Sequence, residues 1–127
     1  MSAMLRFGGL LGVSAIGAGT YGAHGLEGHL QELQLEEEEK LRWMKNWSSA
    51  TGIHQFGATT VMALAAAQKA GLLARPALIG GLIGTGTAVF AGSLYLGAYY
   101  ATRDYSKVAP AGGSALLLGL TVLVFFP

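Results

Sequence analysis

The sequence predicts an all-α integral membrane protein: four transmembrane helices, with an amphipathic acidic segment between the first and the second. Three observations predict it. Pro76 to Thr102 is a run of twenty-seven residues without a charge, closed by Arg75 and Arg103, and at ~1.5 Å per residue a helix of ~20 apolar residues crosses a bilayer. The chain is 52% hydrophobic and only 12% charged, against ~25% charged in soluble proteins. Its twenty glycines are costly in soluble helices but suit membrane helices, whose contacts use small residues to bring backbones close.

The spans fall at about 5–26, 47–68, 76–102 and 108–126, in one domain of 1–127. Met1 to Arg6 is too short for a charged leader with its own linker, so the first apolar run reads as a retained helix. Along it Gly8, Gly12, Ala15, Gly19 and Gly22 share one face, a packing seam for a neighbouring helix. Glu27 to Trp47 holds six of the seven acids, including Glu36, Glu37, Glu38 and Glu39, and must lie outside the hydrocarbon. Leu26, Leu30, Leu33, Leu41 and Met44 recur there at helical spacing, with Glu36–Lys40 and Glu38–Arg42 as i, i+4 pairs, so a surface helix is expected. Trp43 and Trp47 around Lys45 suit the headgroup layer.

The second span, within Asn46 to Gln68, carries the polar pair His54 and Gln55 and a small row at Thr59, Ala63 and Ala67. Pro76 opens the third span after a short turn, and Gly80, Gly84, Ala88 and Gly92 follow at i, i+4 spacing, a ridge for close backbone contact. Pro110 opens the fourth, with Ala111, Ala115 and Gly119 as its ridge.

Four spans put both termini on one face and all seven acids on the other. The basic residues divide five to the acidic face (Lys40, Arg42, Lys45, Arg103, Lys107) and three to the terminal face (Arg6, Lys69, Arg75), which leaves orientation open. The absence of cysteine removes thiolate chemistry and disulfides. A formal charge of +1 with scattered basic residues argues against nucleic acid. The glycines of the first span form no nucleotide loop, which needs a strand before it.

Three motifs carry a resemblance. Tyr21-Gly22-Ala23-His24-Gly25 ends the first span, Phe90-Ala91-Gly92-Ser93-Leu94-Tyr95 lies within the third, and Ala109-Pro110-Ala111-Gly112-Gly113 opens the fourth, followed by Leu116-Leu117-Leu118-Gly119. In that order they resemble the transmembrane protein 256 family and its bacterial relatives of unknown function, over nearly the whole chain. The resemblance implies a four-helix membrane protein, mitochondrial in eukaryotes, without an established catalytic activity. Two departures stand out. The acidic stretch from Glu27 to Lys45 is longer than the family's usual first loop, and Gly57 stands where the family has a second-helix histidine.

The topology predicts that His24, His54, Tyr95, Tyr99 and Pro110 gather in one half of the membrane. Two histidines from different helices could hold a haem iron or pass protons, but no carboxylate lies within a span to complete a metal site, and helix capping is the commoner use. Tyr99, Tyr100 and Tyr105 read as an interfacial belt. No catalytic residue, cofactor, metal or small-molecule substrate is therefore expected. The expected function is a non-catalytic accessory subunit of a respiratory-chain complex in the mitochondrial inner membrane. Its partners would be membrane lipids and other membrane subunits, with Glu36 to Glu39 as a docking arm. The alternative is a small transporter or channel, which would want charged or broken-helix features at mid-membrane.

Overall fold

A computed structural model describes residues 2–127; Met1, the first residue of the Met1 to Arg6 stretch considered above, lies outside the described residues. The fold consists of α1 (Ala3–His24), α2 (Leu26–Glu32), α3 (Glu37–Lys69), α4 (Pro76–Tyr100), a 3-10 turn (Tyr105–Val108) and α5 (Ala109–Phe125), with no strand among the described residues. Three stretches are long and apolar enough to cross a membrane: Ala3–His24, Pro76–Tyr100 and Tyr105–Phe125. The fourth expected span is the latter part of α3. It falls outside this set because Ser48, Ser49, Thr51, His54, Gln55, Thr59 and Thr60 interrupt its apolar residues.

The acidic segment differs from the expected surface helix. Gln34 takes a left-handed conformation, φ 60°, which stops α2 and turns the chain into α3. Glu37, Glu38 and Glu39 then form the first turn of the same 33-residue helix that carries His54, where negative charge complements the helix dipole. Leu26 and Leu30 are buried against Trp43, Trp47 and Ala98, whereas Leu33 and Leu41 stay exposed. Lys40 pairs with Glu37 at 3.2 Å and with Glu27 at 3.8 Å rather than with Glu36, because α2 folds back over the start of α3.

The long helices form a row rather than a ring. α1 packs on α3, α3 on α4 and α4 on α5; α1 meets α4 lightly, and the backbone of α5 does not approach that of α1 or α3 closely. α4, between α3 and α5, is the most buried of the three candidate spans. Leu11, Ala58, Val61, Leu64, Ile79, Ile83 and Leu116 make one core, nearer the end where α1 and α4 begin; Leu26, Leu30, Trp43, Trp47 and Ala98 make a second at the other end.

Glycines set the closest approaches. A Cβ on Gly8 would lie 2.6 Å from Met62 Cγ and one on Gly22 2.6 Å from Trp47 Cδ1, while Gly19 faces Thr51 at 3.4 Å and Gly12 faces Met62 at 3.9 Å. Gly80 and Gly84 receive Met4 and Phe7 of α1. The second half of that ridge is a correction: Ala88 is exposed and Gly92 has open space beyond it, because at 3.6 residues per turn an i, i+4 line winds by about 40° per step and leaves the face that Gly80 and Gly84 turn to α1. On α5 the contact face runs through Gly112, Leu116 and Gly119, with Ala115 at its edge and Ala111 exposed. The tightest joint there is Gly112 against the backbone of Phe90 and Gly86. Gly57 seats the side chain of Thr87, so a histidine could not occupy that position in this packing.

Candidate functional site

α1, α3 and α4 enclose one chain of polar side chains. His54, 6% exposed, sits on the inner face of α3. Its Nε2 lies 2.9 Å from Ser14 Oγ of α1, and its Nδ1 lies 2.8 Å from the Tyr95 hydroxyl of α4. Ser14 is also 3.0 Å from each of the Leu10 and Leu11 carbonyls, and Thr51 donates to the Trp47 carbonyl at 3.0 Å.

Counting protons decides the direction of these bonds. A neutral imidazole has one donor and one acceptor, and a hydroxyl has one proton. With the proton on Nε2, His54 donates to Ser14 and accepts from Tyr95, while Ser14 and Thr51 keep their protons for backbone carbonyls. With the proton on Nδ1, Ser14 would give up its carbonyls and Tyr95 would have to donate to Thr51 across 3.5 Å. The distances assign the Nε2–H tautomer. Among the described residues no buried side-chain nitrogen or oxygen is left without a partner.

An aromatic layer continues from this chain toward the acidic end. Trp47 donates from Nε1 to the Ala18 carbonyl at 2.8 Å, and its ring lies 4.5 Å from Tyr95 and 5.4 Å from Tyr21. Tyr21 in turn lies 6.3 Å from Tyr99. His29 stacks on Tyr99 at 3.9 Å and donates to its carbonyl at 2.7 Å, tying α2 to the end of α4.

The expected gathering is thus partly reassembled. His54, Tyr95 and Tyr99 take part in it, but His24 and Pro110 are exposed and outside it; His24 points away because Tyr21 and Gly22 use the inner face of the last turn of α1. Ser14, Thr51 and His29 enter instead. Ser14 and Thr51 had one signal in the sequence, a hydroxyl within an apolar run, but their bonds to residue 54 and its neighbourhood depend on helix register. Both ring nitrogens of His54 are engaged, and among the described residues no three His, Cys, Asp or Glu side chains come together as metal ligands.

The motif residues are mostly joints. Gly22 admits Trp47, Gly25 lies under the ring of Tyr21, and Phe90 of the second motif rests on Gly112 and Gly113 of the third. Ser93 donates to the Phe90 carbonyl at 2.9 Å, whereas Ala23 and His24 face outward. Of the four glutamates, Glu37 holds Lys40 and Glu39 accepts from Trp43 Nε1 at 3.5 Å; Glu36 and Glu38 are exposed.

An all-helical chain with three apolar helices of spanning length, and its polar side chains paired between helices, is an integral membrane protein. It belongs to the family described as "Protein of unknown function (DUF423)", whose model matches residues 18–113. A UPF0382 membrane protein of Staphylococcus epidermidis is 30% identical over 129 residues, covering 98% of this chain and 93% of the relative. One of Bacillus subtilis is 25% identical over 125 residues, covering 98% and 94%. One of Schizosaccharomyces pombe is 27% identical over 121 residues, covering 91% and 92%. No solved structure matches the chain. With relatives in bacteria as well as a yeast, membership carries the membrane but not the mitochondrion.

Proposed function

We propose that this protein is a non-catalytic helix-packing subunit of a larger membrane assembly, with α3 as its fourth span. The observation that carries the reading is the outer face of α3. Ser48, Gly52, Gln55 and Thr59 are exposed there, and the Gln55 amide has no partner among the described residues. An amide facing lipid at that depth is costly, and such groups are normally covered by another helix. An open groove of about 550 Å3 between α1 and α3, lined by Gly9, Gly12, Gln55 and Thr59 among others, has the small-residue walls that such a helix would need.

In its narrowest form the assembly is a respiratory-chain complex, in eukaryotes that of the mitochondrial inner membrane. Relatives in bacteria require a role that a bacterial plasma membrane also has, a condition respiratory chains meet. The exposed Glu36 and Glu38 supply a second, water-facing contact for a basic partner. The hydrogen-bonded line Ser14–His54–Tyr95 favours a second reading, a small proton-linked transporter, although no Lys, Arg, Asp or Glu lies in the middle of α1, α4 or α5.

Native gel separation after mild detergent extraction tests the subunit reading. The wild type is expected to comigrate with a large complex, and Gln55→Leu to be inserted and folded but released from it. Migration of both as the same small species would overturn the reading.

A further inference from the structure

We propose that the end of the protein where α1 and α4 begin holds a binding site for an anionic phospholipid. The inference rests on the membrane class alone and stands apart from the subunit reading. A cavity of about 820 Å3 opens between the start of α1, the end of α3 and the start of α4, lined by Ser2, Met4, Phe7, Lys69, Gly80 and Gly81 among others. Its floor is apolar and lies within the candidate spans, where an acyl chain would sit. Its mouth is polar and positive.

Lys69 and the first turns of α1 and α4 bring positive potential to that mouth, set against the carbonyl end of α3, which also borders it. Lys69 lines the cavity and is exposed, with no ion-pair partner among the described residues. α1 and α4, of 22 and 25 residues, both begin there, and the first turn of a helix presents N–H groups and the positive end of its dipole. On α4 the first intrahelical bond runs from Ile79 N–H to the Arg75 carbonyl at 3.1 Å, so the Ala77 and Leu78 amides precede the ladder. Arg75 adds a further cation at this end, while all seven acidic side chains (Glu27, Glu32, Glu36, Glu37, Glu38, Glu39, Asp104) belong to the opposite end.

A site with a cationic, N–H-rich rim above an apolar slot selects an anion carried on a hydrocarbon chain. Zwitterionic lipids offer the same chains with a neutral headgroup, and inorganic phosphate offers the anion without the chains. Gly81 has open space where its Cβ would be and borders the cavity, so a larger side chain there would fill the slot without displacing the fold.

The test is lipid binding to the purified full chain in mild detergent, read by native mass spectrometry against dioleoyl-phosphatidylglycerol and dioleoyl-phosphatidylcholine. The wild type is expected to prefer the anionic lipid by about fivefold or more, the size of one lysine acting at a membrane surface. Lys69→Gln should diminish that preference severalfold and leave the weaker phosphatidylcholine binding unchanged. Gly81→Leu should reduce binding of both lipids while leaving the helix content of the protein unchanged. Equal binding of the two lipids by the wild type, or an undiminished preference in Lys69→Gln, would overturn the proposal. Displacement of phosphatidylglycerol by inorganic phosphate alone would also overturn it, in favour of a site for the free anion.

Discussion

The Tyr95 hydroxyl and Nδ1 of His54 lie 2.8 Å apart across the contact between α3 and α4, with the hydroxyl donating. Tyr95→Phe therefore leaves a buried acceptor unpaired, at a cost of about 1–3 kcal/mol. His54→Phe and Tyr95→Phe together should cost less than the sum of the two single changes, since each removes the same bond. Nitrogen chemical shifts of the imidazole should report the Nε2–H tautomer in the wild type, and finding Nδ1–H would refute the assigned direction.

Glycine substitutions should separate contact from open space. Gly84→Leu and Gly112→Leu would drive side chains into Phe7 and into the Phe90 backbone, with overpacking losses of about 1–3 kcal/mol or more. Gly92→Leu should be close to silent, because nothing lies within reach of its Cβ. Thermal stability in detergent orders the three, and a Gly92→Leu loss as large as that of Gly84→Leu would disprove the open space at Gly92.

Ala101 caps α4 in the left-handed region, φ 51°, with Thr102 N–H bonded to the Gly97 carbonyl at 2.9 Å. A glycine adopts that conformation without the Cβ penalty. Ala101→Gly is expected to raise stability by about 1 kcal/mol; an unchanged or lowered melting temperature would show that the packing of the methyl group outweighs the strain.

Single cysteines at Ser2 and Glu38 should react with an impermeant reagent from opposite faces of the membrane, and one at Ser114, within α5, should be protected. Labelling of positions 2 and 38 from the same face would rule out α3 as a span.

The acidic stretch divides by structure. Glu37→Gln should loosen the fold by removing the nearer of the two carboxylate partners of the buried Lys40, whereas Glu36→Gln with Glu38→Gln should leave stability unchanged and weaken attachment to a basic partner. That second effect should shrink as salt rises, since surface attraction is screened over ~8 Å at physiological ionic strength. Unchanged recovery of the complex at every salt concentration would end the docking role.

Membrane class, helical content and the turns before Pro76 and after the third span were legible in the sequence because each depends on local quantities: the length of an uncharged run, a proline at a helix start, a charge that cannot enter hydrocarbon. The Pro76 helix emerged almost at its expected bounds for that reason. What depended on rotation and register was decided only by the tertiary structure. A small-residue spacing says that a ridge exists, but only the neighbouring helix determines how far it is used, so Gly80 and Gly84 pack while Ala88 and Gly92 do not. Periodicity likewise ran through Leu33 and Leu41, yet a backbone turn at Gln34 broke the helix and moved the glutamates onto the start of α3. The union of Ser14 with His54 joins residues forty positions apart, and no local property of either encodes the helix rotation that brings their polar atoms within 2.9 Å.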